Sequence, residues 1–132
     1  MIERRASCRC GQLTATVTGE PVRTSVCHCL HCKKRSGSAF ATQARWPLDR
    51  VVVSGAERSW TKHNDSGTSA TFRFCPECGS DIAYVLSSDP EVLAMPVGAF
   101  DDPFFAQPVY SVFEDRKHPW VAILGEQVDH LD

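Results

Sequence analysis

Seven cysteines fall into three tight groups, and that grouping limits this chain more than any other feature. The groups are Cys8-Arg9-Cys10, Cys27-His28-Cys29-Leu30-His31-Cys32 and Cys75-Pro76-Glu77-Cys78-Gly79, with no cysteine outside them. Three cysteines within six residues can converge on a single ion, because the short segments between them let the backbone fold round it. The two distant pairs, Cys8/Cys10 and Cys75/Cys78, sum to four thiolates and so close a tetrahedral structural site for Zn2+. Cys27, Cys29 and Cys32 supply only three positions, which leaves the fourth to water, a substrate or another side chain.

Other divisions are compatible with the spacing. Cys29/Cys32 and Cys75/Cys78 would make a zinc ribbon by themselves, leaving Cys8, Cys10 and Cys27 to form a second site from distant parts of the chain. His28, His31 or the remote His118 would close the three-cysteine group into a structural site. Disulfides fit less well. The cysteine number is odd, and the stretch from Met1 to Cys8 has charges but no apolar run of the kind a secretory leader needs.

A length of 132 residues suits a single domain, residues 1–132, with one core. Hydrophobic content of 42% and charged content of 23% are ordinary for a soluble globular protein, and no apolar run reaches bilayer length. A soluble, cytoplasmic protein with reduced thiols and no membrane partner is therefore expected. The formal charge of −2 argues against a nucleic-acid module, whose phosphate contacts need a basic face. The one basic cluster, Lys33-Lys34-Arg35, reads either as a solvated turn or as cations that offset a zinc-thiolate charge or hold substrate carboxylates.

Short alternating segments predict a mainly β chain. Strands are expected at 13–18, 22–26, 39–46, 51–53, 59–61, 69–74, 81–86, 92–100, 109–113 and 120–124, with no convincing helical period. Cys8-x-Cys10 would lead into the first of these, with both side chains on one side of an extended backbone. The Cys27–Cys32 group would sit in a loop between strands. Cys75-Pro76-Glu77-Cys78-Gly79 reads as a tight knuckle at the tip of a hairpin, its glycine permitting a backbone that other residues resist. A zinc there would staple that hairpin to the N-terminal strand. Asp101-Asp102-Pro103 reads as a turn rather than an acid/base pair.

Together these residues carry a specific resemblance. Cys8-x-Cys10-Gly11, Cys27-His28-Cys29-x-x-Cys32 with its basic tail and Ser36-Gly37, Phe74-Cys75-x-x-Cys78-Gly79, and Val97-Gly98-x-Phe100-Asp101-Asp102-Pro103 resemble the glutathione-dependent formaldehyde-activating enzyme family. The similarity runs from about Cys8 to Trp120. It implies a Mss4-like fold of short antiparallel strands in small sheets stapled by zinc, with two zinc ions. Cys8, Cys10, Cys75 and Cys78 match the family's structural site, and Cys27, Cys29 and Cys32 its catalytic one. The implied activity is of the S-(hydroxymethyl)glutathione synthase or carbon-sulfur lyase type, acting on a small thiol and formaldehyde or a related carbonyl. The chain is more compact than the glutathione-dependent enzymes, so the segments that hold glutathione are not identified by the resemblance. Mss4-like and centromere protein V-type domains also imply a different class of function, a zinc-stabilised binding or scaffold module.

A zinc carrying three electron-rich thiolates is a poor Lewis acid and prefers a soft fourth ligand. A substrate thiolate suits that position better than an activated water.

Overall fold

A computed structural model describes all 132 residues. Eleven strands and one short helix run in the order β1 (Glu3–Ser7), β2 (Thr14–Thr18), β3 (Arg23–Cys27), α1 (Leu30–Ser36), β4 (Ala41–Pro47), β5 (Val51–Ser54), β6 (Arg58–His63), β7 (Ser69–Phe74), β8 (Asp81–Leu86), β9 (Asp89–Pro96), β10 (Tyr110–Val112) and β11 (Asp129–His130). They form a three-stranded antiparallel sheet, β1-β2-β5, and an eight-stranded sheet in the order β11-β10-β3-β4-β9-β8-β7-β6. In the larger sheet β10 runs parallel to both β3 and β11, and the other pairs are antiparallel. No helix is long and apolar enough to cross a membrane.

The alternation read from the sequence sorts the side chains between the two faces of the large sheet. Ala44 and Trp46 of β4, Leu93 and Met95 of β9, and Ala83 of β8 point to one face, where Ala6, Ala15 and Val17 of the small sheet and Leu13 just before β2 cover them. Leu13, Ile82 and Leu93 are almost wholly buried there, each contributing about 1.5–3 kcal/mol. Trp46 is fully buried, and its indole N–H donates to the Gly19 carbonyl at 3.0 Å. The opposite face carries a smaller cluster of Ala70, Phe72, Tyr84 and Ala94.

Five local expectations change. Residues 120–124 form no strand; the last pairing is instead made by the two residues of β11. Strand β1 was not foreseen because Glu3-Arg4-Arg5 is charged, yet it needs only Ala6 to reach the core. Consequently Cys8 and Cys10 sit in the turn between β1 and β2 rather than on an extended strand. The strand expected over 92–100 stops at Pro96, and Val97–Ala99 forms a single 3-10 turn.

The Cys27–Cys32 segment is also not all loop, since α1 begins at Leu30. Cys29 is its N-cap, with Sγ accepting from the Cys32 N–H at 3.3 Å, a role that serine or aspartate usually fills. Gly37 ends the helix at φ 64°. The turn at 101–103 forms as expected, with Asp102 Oδ1 accepting from the Phe104 N–H at 2.9 Å.

Candidate metal centres and the adjoining cavity

The first centre joins two similar turns. After β1, Cys8 N–H donates to the Leu13 carbonyl, Gly11 N–H donates to the Cys8 carbonyl, and Leu13 N–H approaches Cys8 Sγ at 3.3 Å. After β7, Cys75 N–H donates to the Ser80 carbonyl, Gly79 N–H to the Cys75 carbonyl, and Glu77 N–H to Cys75 Sγ at 3.3 Å. Gly79 takes φ 78°, a conformation that would strain other residues. All four sulfurs of Cys8, Cys10, Cys75 and Cys78 lie within 4.8 Å of one another. A tetrahedron with Zn–S bonds of about 2.3 Å has edges of roughly 3.8 Å. The Cys8–Cys10 and Cys10–Cys75 separations are 3.6 and 3.7 Å. The donor set therefore fits a tetrahedral thiolate-bound metal, and Gln12 supports it from outside. Gln12 Nε2 donates to Cys75 Sγ at 3.0 Å while its amide exchanges a pair of hydrogen bonds with the Ala56 backbone.

The donors at Cys75 and Cys78 favour thiolates at those two positions, while Cys10 is pushed up to about 11. Hydrogen bonds from the Ser80 hydroxyl and N–H bring Cys78 down to about 5. Burial opposes ionisation of Cys75, but Gln12 and the N–H groups of Cys78 and Glu77 carry it below the ordinary thiol value.

The second centre gathers Cys27, Cys29 and Cys32, again with every sulfur within 4.8 Å of the others. Cys27 ends β3, Cys29 caps α1, and Cys32 lies in its first turn. The neighbouring Cys27 thiol is the main cause that pulls Cys32 down to about 5, with Cys29 and Arg35 assisting. The same pairing with Cys32, together with burial, pushes the Cys27 thiol up. Arg35 stands one turn on, its guanidinium 3.8 Å from Cys32 Sγ. No histidine joins this cluster. His28 is fully buried, with Nε2 bonded to Ser111 Oγ at 2.9 Å, while His31 packs at a tilt against Phe72 and His118 stacks on Trp120. The zinc-ribbon division is also absent, because Cys29/Cys32 and Cys75/Cys78 belong to different clusters.

The three-cysteine cluster opens into a cavity of about 590 Å3. Strand register explains its walls. Arg23, Ser25 and Cys27 alternate onto one face of β3, opposite Arg45, Gln43 and Ala41 of β4, and the same face continues through Tyr84 and Phe72 to Lys62. Of the basic cluster singled out in the sequence, only Arg35 lines this cavity. Lys33 donates to the Arg116 carbonyl and Lys34 is exposed. Arg23, Arg45 and Lys62 were not anticipated. Period-two spacing from Cys27 would have found Arg23, whereas Arg45 and Lys62 required the strand register.

These features define a class: a mainly β domain with one four-thiol cluster and one three-thiol cluster facing a cavity, each able to hold a metal ion. The family model for the glutathione-dependent formaldehyde-activating enzyme matches residues 3–116, and the chain belongs to that family. A crystal structure of a Rhodobacter sphaeroides protein, solved as a structural-genomics target, is similar at 25% identity with a TM-score of 0.58. The match covers 75% of this chain and 91% of that one. No curated protein matches.

Proposed function

We propose that this chain is an enzyme of the carbon-sulfur lyase/synthase type that joins a small thiol, glutathione or a similar one, to formaldehyde or a related carbonyl. The observation that carries the reading is a three-thiol cluster, closed by no fourth side chain, at the wall of a cavity large enough for a substrate. Cys8, Cys10, Cys75 and Cys78 would hold a structural zinc, and Cys27, Cys29 and Cys32 a second, catalytic one. Zinc bound at the second cluster would supply a position at which a substrate thiol is stabilised as its nucleophilic thiolate.

In the reaction the sulfur forms a bond to the carbonyl carbon, and the carbonyl π pair moves to oxygen. That oxygen gains a proton as the thiol loses one, giving the S-hydroxymethyl adduct, and the reverse step releases the carbonyl. Arg35, whose guanidinium lies 3.8 Å from Cys32 Sγ, would stabilise the developing oxyanion. Phe72, Tyr84 and Ala70 provide an apolar wall that limits water. Residues 1–132 would act as one domain, and seven reduced cysteines suit a cytoplasmic setting.

The test is adduct formation from formaldehyde and glutathione, followed by NMR, for the parent chain and for Cys29→Ser. A rate above the uncatalysed reaction that is lost in folded Cys29→Ser is expected. Undiminished catalysis by that variant would remove the cluster from the mechanism.

A further inference from the structure

The cavity has an unusual charge balance. Arg23, Arg35, Arg45 and Lys62 line it, and none of its lining residues is Asp or Glu. Arg35 has Asp81 at 3.8 Å as a partial partner. The other three have no carboxylate within ion-pair distance: Arg45 bonds the hydroxyls of Ser25 at 3.0 Å and Tyr84 at 3.4 Å, and Lys62 bonds the Asn64 side-chain oxygen at 2.7 Å. Arg23 and Arg45 are also directly opposite each other in the β3–β4 register. Like charges at cross-strand positions repel, so this pairing is unfavourable unless an anion neutralises it. Gln43, 3% exposed, donates Nε2 to Ser25 but leaves Oε1 without a partner.

Position along the strand adds a distance. At about 3.4 Å per residue, Ser25 and Arg23 begin roughly 7 and 14 Å from Cys27. The cations therefore lie along the path that a thiol's remaining atoms would take once its sulfur reached Cys27, Cys29 and Cys32. Nothing charged on that path would match an ammonium group.

We infer that the thiol admitted here is a polyanionic one, a mercapto-carboxylic acid or thiol peptide bearing two carboxylates and no ammonium group, with Arg45 and Arg23 holding one carboxylate and Gln43 Oε1 accepting an amide N–H. This rests on the thiol-binding reading of the three-cysteine cluster and adds a substrate class to it. Glutathione supplies two carboxylates and amide N–H groups but also carries an α-ammonium, which finds no counter-charge among these side chains. Its glutaryl analogue, in which the ammonium is replaced by hydrogen, satisfies every feature.

The experiment is equilibrium binding to the zinc-loaded full chain by calorimetry, using glutathione, the glutaryl analogue, mercaptosuccinate, 2-mercaptoethanol and cysteamine, each beside its S-methyl derivative. The glutaryl analogue is expected to bind about tenfold more tightly than glutathione, and mercaptosuccinate at least about tenfold more tightly than 2-mercaptoethanol, with cysteamine weakest. These gaps should narrow as salt rises. Arg45→Gln should compress the ranking. Should that variant fail to fold, Arg23→Gln, on an exposed cation, and Lys62→Gln make the same test. Thiols that outbind their S-methyl forms but ignore charge would overturn the polyanion assignment and leave the thiol site standing. S-methyl forms that bind as well as the thiols would overturn the thiol-site reading itself.

Discussion

Gln12 gives the most searching test of the four-cysteine centre, because no cysteine pattern points to it. Its side chain makes three contacts: Nε2 to the Ala56 carbonyl at 2.7 Å, Oε1 from the Ala56 N–H at 2.9 Å, and Nε2 to Cys75 Sγ at 3.0 Å. The two bonds to Ala56 are partly solvated, so about 1 kcal/mol each is a fair figure, and Gln12→Ala should cost roughly 2 kcal/mol of folding stability. The third bond reaches a sulfur that is a thiolate when metal is bound. A charge-assisted bond of that kind is worth about 1.5–3 kcal/mol, or roughly one to two decades of metal affinity. Gln12→Glu keeps the acceptor toward Ala56 N–H, removes the donor and brings a negative charge toward the sulfur, so it should lose more metal affinity than Gln12→Ala. The assay is a competitive chelator titration in a Cys29→Ser background, which leaves only the four-cysteine centre intact, paired with urea unfolding. A zinc affinity within twofold of the parent in Gln12→Ala would refute the idea that this amide supports the thiolates.

Three further outcomes are expected. A Cβ at Gly55 would stand 2.2 Å from the Gln12 carbonyl at a backbone φ of 116°, so Gly55→Ala should destabilise by roughly 2–4 kcal/mol, read from urea midpoints. Trp46→Phe removes the donor from the buried Gly19 carbonyl and leaves a void, costing roughly 2–3 kcal/mol in the same assay. Burial holds the Asp81 carboxyl above its ordinary 3.8, with Arg35 offsetting only part of the shift. The folded chain then binds more protons than the unfolded chain as pH rises through that window, so ionising Asp81 lowers stability. Asp81→Asn should therefore stabilise the protein at pH 7 and lose that advantage toward pH 4; an equal effect at both would contradict it.

The cysteine grouping was legible because metal ligation demands particular side chains at particular separations, and the four-plus-three division is the one the backbone brings together. Most strands were equally legible: Ser69–Phe74 keeps its alternation because Ala70 and Phe72 must meet Tyr84 and Ala94 on one face of the large sheet. Helix α1 was not, since its seven residues have no apolar period and a cysteine takes the N-cap. Charged Glu3–Ser7 concealed β1 because a two-sided edge needs only one inward residue. The cavity's cations were hidden for a different reason. Arg23, Arg45 and Lys62 are distant in sequence, and only cross-strand register places them on one face with Cys27.

The most direct test of the central claim, that Cys27, Cys29 and Cys32 form an open thiol-binding centre, is the thiolate-to-metal charge-transfer absorption of cobalt-substituted protein titrated with glutathione. Added thiol should strengthen the absorption by one further thiolate per chain in the parent protein, with no such change in Cys29→Ser. An absorption that does not respond to thiol, in a chain shown to hold two metal ions, would contradict the account.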